Sequence, residues 1–96
     1  MNAADRARRD AAEALALQAL GFVIADPDLR ERFMRLSGLE PEDIRRLAAD
    51  PAFGGGVLDF VLAHEPTLAS FCAAAGVGPE EPARARRLLP GAPVEY

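Results

Sequence analysis

Two stretches decide the fold. They are Leu20-Gly21-Phe22-Val23-Ile24-Ala25-Asp26-Pro27-Asp28-Leu29 and Leu58-Asp59-Phe60-Val61-Leu62-Ala63-His64-Glu65-Pro66-Thr67-Leu68. Each is an apolar run, then an acidic residue, then proline. Proline has no N–H to donate, and a helix's first N–H groups have no intrahelical partner. Proline therefore fits the first helical position and marks where one helix stops and the next begins. The correspondence continues outward. Phe33, Gly38, Pro41, Glu42 and Arg46 recur as Phe71, Gly76, Pro79, Glu80 and Arg84, with an offset of 38 residues at both ends. His64 is inserted at the first turn, and one residue is lost in the helix that follows. One of the 11 repeated identities is alanine, so the 20 alanines of the chain do not explain the match.

The pattern predicts two copies of a three-helix unit, about residues 20–47 and 58–85, stacked in one core with approximate two-fold symmetry. Residues 90–96 are left as a tail. Asp50-Pro51 adds a further helix start, and Gly38 and Gly76 stand where a left-handed residue closes a helix. Six helices are expected, near 3–25, 27–37, 41–49, 51–63, 66–75 and 79–89. Asp26 and Asp50 are good N-caps, whereas Glu40 and Glu65 are poor ones. Period-two alternation is nowhere sustained, so no strands are expected. The fold class is all-α, a compact single domain over 1–96.

Apolar faces follow the helical period. Helix one offers Leu15, Ala19, Phe22 and Val23, widened by Leu20 and Ile24. Helix two offers Leu29, Phe33 and Leu36, and helix three Ile44, Leu47 and Ala48. Helix four is apolar nearly all round, with Phe53, Val57, Leu58, Phe60, Val61 and Leu62. Such a helix is central, or part of it lies in a subunit interface.

Composition limits the function. Half of the 96 residues are apolar and 27% are charged. Mean hydropathy is zero. This is an ordinary globular profile rather than a disordered one. The net charge of −4 gives no global attraction for nucleic acid or anionic lipid. One cysteine excludes an internal disulfide and a cysteine-based zinc cluster. No apolar run reaches the roughly 18 residues of a membrane span. Arg6, Arg8 and Arg9 ahead of Ala14–Ala25 imitate a signal peptide, with Val23-Ile24-Ala25 as its cleavage site. Asp5, Asp10, Glu13 and Gln18 spoil the imitation, and a near copy of the run recurs in mid-chain. A core helix in a cytoplasmic protein is the expectation. Charge is uneven: residues 47–82 hold five acids and no arginine, while 83–96 hold three arginines and one glutamate. Pairing of Arg84, Arg86 or Arg87 with those acids is expected, at ~0–1 kcal/mol per surface pair.

Candidate chemistry reduces to structural roles. Cys72 and His64 are the only thiol and imidazole. Cys72 lies on the face of Leu68 and Ala75 and reads as a buried small hydrophobe. His64 reads as a cap at the C-terminal end of helix four. Gly54-Gly55-Gly56 lacks the Lys-Ser/Thr of a phosphate-binding loop. It reads as close backbone packing or a frayed helix start, or as a hinge if mobile. Glu42-Asp43 and Glu80-Glu81 sit in first helical turns, where the dipole favours acids. Phe33–Leu47 has helix-turn-helix spacing, but Glu40, Glu42 and Asp43 occupy the end that would meet phosphates. No catalytic, cofactor-binding or metal-ligating residue is expected.

Ala14-Leu15-Ala16-Leu17-Gln18-Ala19-Leu20-Gly21-Phe22, Asp26, Arg32–Leu39, Asp50-Pro51-Ala52-Phe53 and Val57-Leu58-Asp59-Phe60 together resemble a known family. It comprises small uncharacterised helical proteins of alphaproteobacteria, classed as a domain of unknown function. The resemblance spans about residues 12–89. The triple glycine departs from the bulkier residues expected there. The resemblance implies a bacterial, cytoplasmic, all-helical protein and carries no activity, cofactor or partner. A protein-interaction or adaptor module without catalysis is the leading expectation, with its partner surface on helices four and five. A DNA-associated regulator and a small-molecule-binding protein are the alternatives. Monomer and homodimer both remain open.

Overall fold

Prolines and acidic caps set the helix starts. The computed structural model describes residues 2–96 and contains α1 (Ala3–Ala25), α2 (Pro27–Ser37), α3 (Pro41–Leu47), α4 (Pro51–Leu62), α5 (Glu65–Ala75) and α6 (Glu81–Arg87). No strand occurs among the described residues. Asp26 ends α1 and starts α2: its Oδ1 accepts from the Asp28 and Leu29 N–H groups at 2.9 and 3.3 Å. Asp50 Oδ1 accepts from the Ala52 N–H at 2.9 Å to open α4. Gly38 and Gly76 close α2 and α5 at φ 74° and 69°, in the left-handed region that glycine adopts without a Cβ clash.

Five boundaries differ from expectation. α5 begins at Glu65 rather than 66, and α6 ends at Arg87 rather than 89. α3 stops at Leu47 rather than 49. α4 ends at Leu62 rather than 63. α6 begins at Glu81 rather than Pro79, because residues 79 and 80 form a turn in which the Glu81 N–H donates to the Gly78 carbonyl. Glu40 is the poor cap expected, with no side-chain cap hydrogen bond. Its own N–H is satisfied by Asp43 Oδ2 at 2.9 Å, so the first turn of α3 is held by the carboxylate three residues on.

α4 is the central element, packed against α1, α5 and α6, while α1 also touches α2, α5 and α6. The radius of gyration, 12.6 Å, is close to the ~12.5 Å expected for a compact chain of this length. Phe33 from α2 and Phe60 from α4 meet edge to face, with centroids 5.1 Å apart. Phe22 and Phe71 do the same at 5.6 Å. Phe33, Phe60, Phe71, Leu58, Val23, Val57 and Val61 are all fully buried. Each such side chain contributes about 1.5–3 kcal/mol by leaving water. Ile44 plugs α3 onto this core. Leu36 does not join it and is half exposed, because α2 presents Phe33 inward and the next turn of its stripe reaches the surface.

The three glycines are buried in α4, neither frayed nor a hinge. A Cβ on Gly54 would lie 3.0 Å from Ala16 Cβ, so this position sets how closely α1 and α4 approach. A Cβ on Gly55 would lie 2.9 Å from Arg86 Nη1 and 3.2 Å from the Pro90 carbonyl oxygen. The glycines make room for a strap. Residues 90–96 turn back across α4, Val94 N–H donates to Asp59 Oδ2 at 2.8 Å, and Tyr96 packs its ring on Phe60 at 5.5 Å. The tail is therefore anchored across α4, with Tyr96 packed against the core and residues 90–95 exposed.

Candidate functional site

The surplus apolar surface expected over residues 51–75 is absent. α1, α5, α6 and the strap cover α4, and the exposed residues of α5 are small or polar. The side chains left in water are Leu17, Leu36, Leu88 and Val94. The main concavity lies elsewhere, between α1 and α6.

It is a groove of about 570 Å³. On α1, Arg8, Ala11, Leu15 and Gln18 follow one another at three- and four-residue steps, so they form one stripe along the helix, with Ala12 beside it. On the other side stand Val77, Ala85 of α6 and Leu88 just past the end of that helix. The floor is apolar: Leu15 and Ala85 are at its base, and Leu88 stands 39% exposed at its lip. The rim is basic. Arg84 and Arg87 edge it from α6 and Arg8 from α1. A smaller hollow of about 330 Å³, sharing Arg8, Arg87 and Leu88, extends it past Arg9. Two carboxylates face these four arginines: Asp5 meets Arg8 at 3.2 Å and Glu81 meets Arg84 at 3.3 Å. Arg87 makes no hydrogen bond or ion pair within the described residues. A positive rim thus borders an apolar floor on a protein whose net charge is −4.

A second cluster joins α2 to the start of α5. The Thr67 hydroxyl accepts from Arg32 Nη2 at 3.2 Å and lies 2.8 Å from His64 Nδ1. The Arg32 guanidinium sits 5.1 Å from the Phe60 ring centroid, in cation–π range. His64 was expected to cap α4. Instead it occupies the N-cap position of α5 and turns its ring forward to Thr67. A hollow of about 200 Å³ opens beside it, next to Arg32, Leu36 and Tyr96. Thr67 itself is only 4% exposed, so its hydroxyl is closed to an approaching substrate in this arrangement.

Cys72 is buried on the core side of α5, and burial, with Glu80 adding to it, pushes its thiol above the ordinary range. His64 is engaged with Thr67, so the thiol and imidazole do not form a pair. Among the described residues, no three of His, Cys, Asp and Glu come together in a group that could hold a metal. In the segment with helix-turn-helix spacing, Ile44 is buried and Arg46 is tied to Asp43 at 2.8 Å. Glu40 and Glu42 face solvent at the end that DNA would have to meet. No single described helix is long and apolar enough to cross a membrane. α4 and α5 reach that length and composition only as a pair bent by 115°.

The class defined here is a small six-helix bundle with a strapped central helix and an arginine-rimmed groove. Residues 9–92 match the family described as Protein of unknown function (DUF3572), and the chain belongs to it. No curated protein matches the chain. No solved structure matches it.

The sequence signals for the groove were separate and weak. The basic character of the last helix was legible, and so was the α1 stripe. Neither indicated that Arg8 and Arg87 would border one cavity, because nothing local in the chain states that α1 and α6 are neighbours.

Proposed function

We propose that the chain is a non-catalytic protein-interaction module, and that the groove between α1 and α6 is its docking surface. One observation carries this reading: an open, helix-walled concavity with an apolar floor and a basic rim. Grooves that receive partner helices have this construction. A bacterial cytoplasmic setting completes the reading, supported by the family resemblance and the single buried, unpaired thiol. The two repeat units are read as a duplicated three-helix scaffold, supported by the 38-residue offset in sequence.

A photo-crosslinking residue placed at Leu88 or Ala11, in native cells, tests the docking surface. The expected result is a discrete heavier adduct from both positions and none from exposed Asp28 on α2. The same adduct pattern from all three positions, or none from the groove, overturns it.

A further inference from the structure

The walls and rim of the groove define the chemistry of what fills it. Both walls are helices whose backbone N–H and C=O groups bond within their own turns. They offer no sheet edge to an extended peptide. An occupant must satisfy its own backbone, which a helix does. The α1 stripe runs from Arg8 to Gln18, a rise of ~15 Å, or about three helical turns. The floor takes apolar side chains. The rim sets four arginines against two carboxylates, and Arg87 has no partner among the described residues.

We propose that the occupant is an acidic amphipathic helix of about three turns, belonging to another protein. Its apolar stripe lies on Leu15, Val77 and Leu88. Its carboxylates meet Arg9, Arg84 and Arg87. A second copy of this chain does not fit. A symmetric dimer through this face would set the same arginines against each other, and no exposed helix here pairs an apolar stripe with an acidic face. Charge of this sort at a rim acts on encounter and selectivity, and the floor holds the complex.

The inference rests on the groove being a docking surface, so its test is separable from the crosslinking experiment. The full chain is panned against a displayed library of three-turn helices, apolar at i, i+3, i+4 and i+7, with the other positions drawn from Glu, Gln and Lys. The expected selection is Glu-rich. A synthesised winner should bind at least about tenfold more tightly than its Lys-for-Glu counterpart and weaken as salt rises. Arg84→Glu with Arg87→Glu should reverse that preference, while Arg45→Glu, on α3, should leave it unchanged. Circular dichroism of each variant confirms that the helices are retained. A neutral or basic selection, no selection, or unchanged preference in the folded Arg84/Arg87 variant overturns the inference. Binding to duplex DNA or anionic vesicles through these arginines, in place of the peptide, also overturns it. If groove crosslinks form while the selection is basic or neutral, the docking surface stands and its acidic partner falls. If no groove crosslinks form, the docking surface itself falls.

Discussion

Arg86 Nε donates to Asp59 Oδ1 at 2.8 Å, with both side chains about nine-tenths buried. The same guanidinium donates to the carbonyls of Leu89 and Gly91 at 3.2 and 3.1 Å, and Asp59 Oδ2 accepts from Val94. Pairing of the last helix with the acidic segment was expected at the surface, where it is worth little. This pair instead sits under the strap, and all five of its side-chain polar atoms are hydrogen-bonded.

Breaking one side of the pair should therefore be costly. Arg86→Met leaves the Asp59 carboxylate buried with a single backbone donor, and about 3–5 kcal/mol of stability should be lost. Combining it with Asp59→Leu removes the stranded charge and should recover much of that loss. Urea unfolding of both single variants and the double variant closes the cycle. Additive losses would show that the two residues do not act as a pair.

The glycines of the helices should respond differently to alanine. Gly21 lies in α1 with nothing within 4 Å of a built Cβ, so Gly21→Ala should stabilise by about 0.5–1 kcal/mol through helix propensity. Gly56→Ala meets only ordinary contacts, at 3.7 and 3.8 Å, and should be tolerated. Gly55→Ala collides with Arg86 and with the Pro90 carbonyl. It should cost about 1–3 kcal/mol despite the propensity gain. Thermal unfolding of the three variants gives the order.

Tyr96 is the only tyrosine, so its ionisation is read without overlap. Burial, and then the Asp59 charge, raise its phenol above the ordinary value of 10.0. A raised folded-state value means that the native protein holds its proton where the unfolded chain has lost it. The stability this contributes is complete below pH 10 and is lost as pH rises through the folded-state value. Tyrosinate absorbance should titrate above 10, and the urea midpoint should fall over the same range. An unchanged midpoint would contradict the packing of the strap on Phe60.

Cys72 is buried and its thiol is raised by that burial. Native protein should react slowly with a thiol-specific disulfide reagent, since only the thiolate attacks. The rate should climb steeply with denaturant as α5 opens. Fast native reaction would place Cys72 at the surface.

Asp43 accepts from the Glu40 N–H and from Arg46, and these bonds lower its carboxyl below the ordinary 3.8, the backbone bond most. A depressed folded-state value gives stability that is present above the unfolded value and lost as pH falls through the folded one. The protection of the Glu40 amide, measured against its intrinsic exchange rate at each pH, should therefore fall as pH drops below 3.8 in the native protein, and should be lost at all pH values in Asp43→Ala.

The helices were legible because their signals are local. Asp26-Pro27 and Asp50-Pro51 start helices by capping groups within three residues, and Gly38 and Gly76 stop them through their own φ. The burial of α4 was legible because Val57, Leu58, Phe60 and Val61 leave it almost no polar face. The misreadings concern contacts at long range. Gly54, Gly55 and Gly56 read as close backbone packing or as a frayed helix start, and no local signal chose close packing, because the atoms that need their missing side chains belong to Ala16, Arg86 and the strap. His64 was placed at the end of α4, although its ring bonds the hydroxyl at the start of α5.

By itself, then, the sequence determined that the chain is all-α, where its first four helices begin and which of them is innermost, since capping and periodicity act within a few residues. Only the tertiary structure decided that the tail straps α4 through Asp59 and Arg86, and that Arg8 meets Arg87 across an apolar groove. Those relationships depend on which helices become neighbours. That choice is made by shape and volume across the whole core, and no short window of residues contains it.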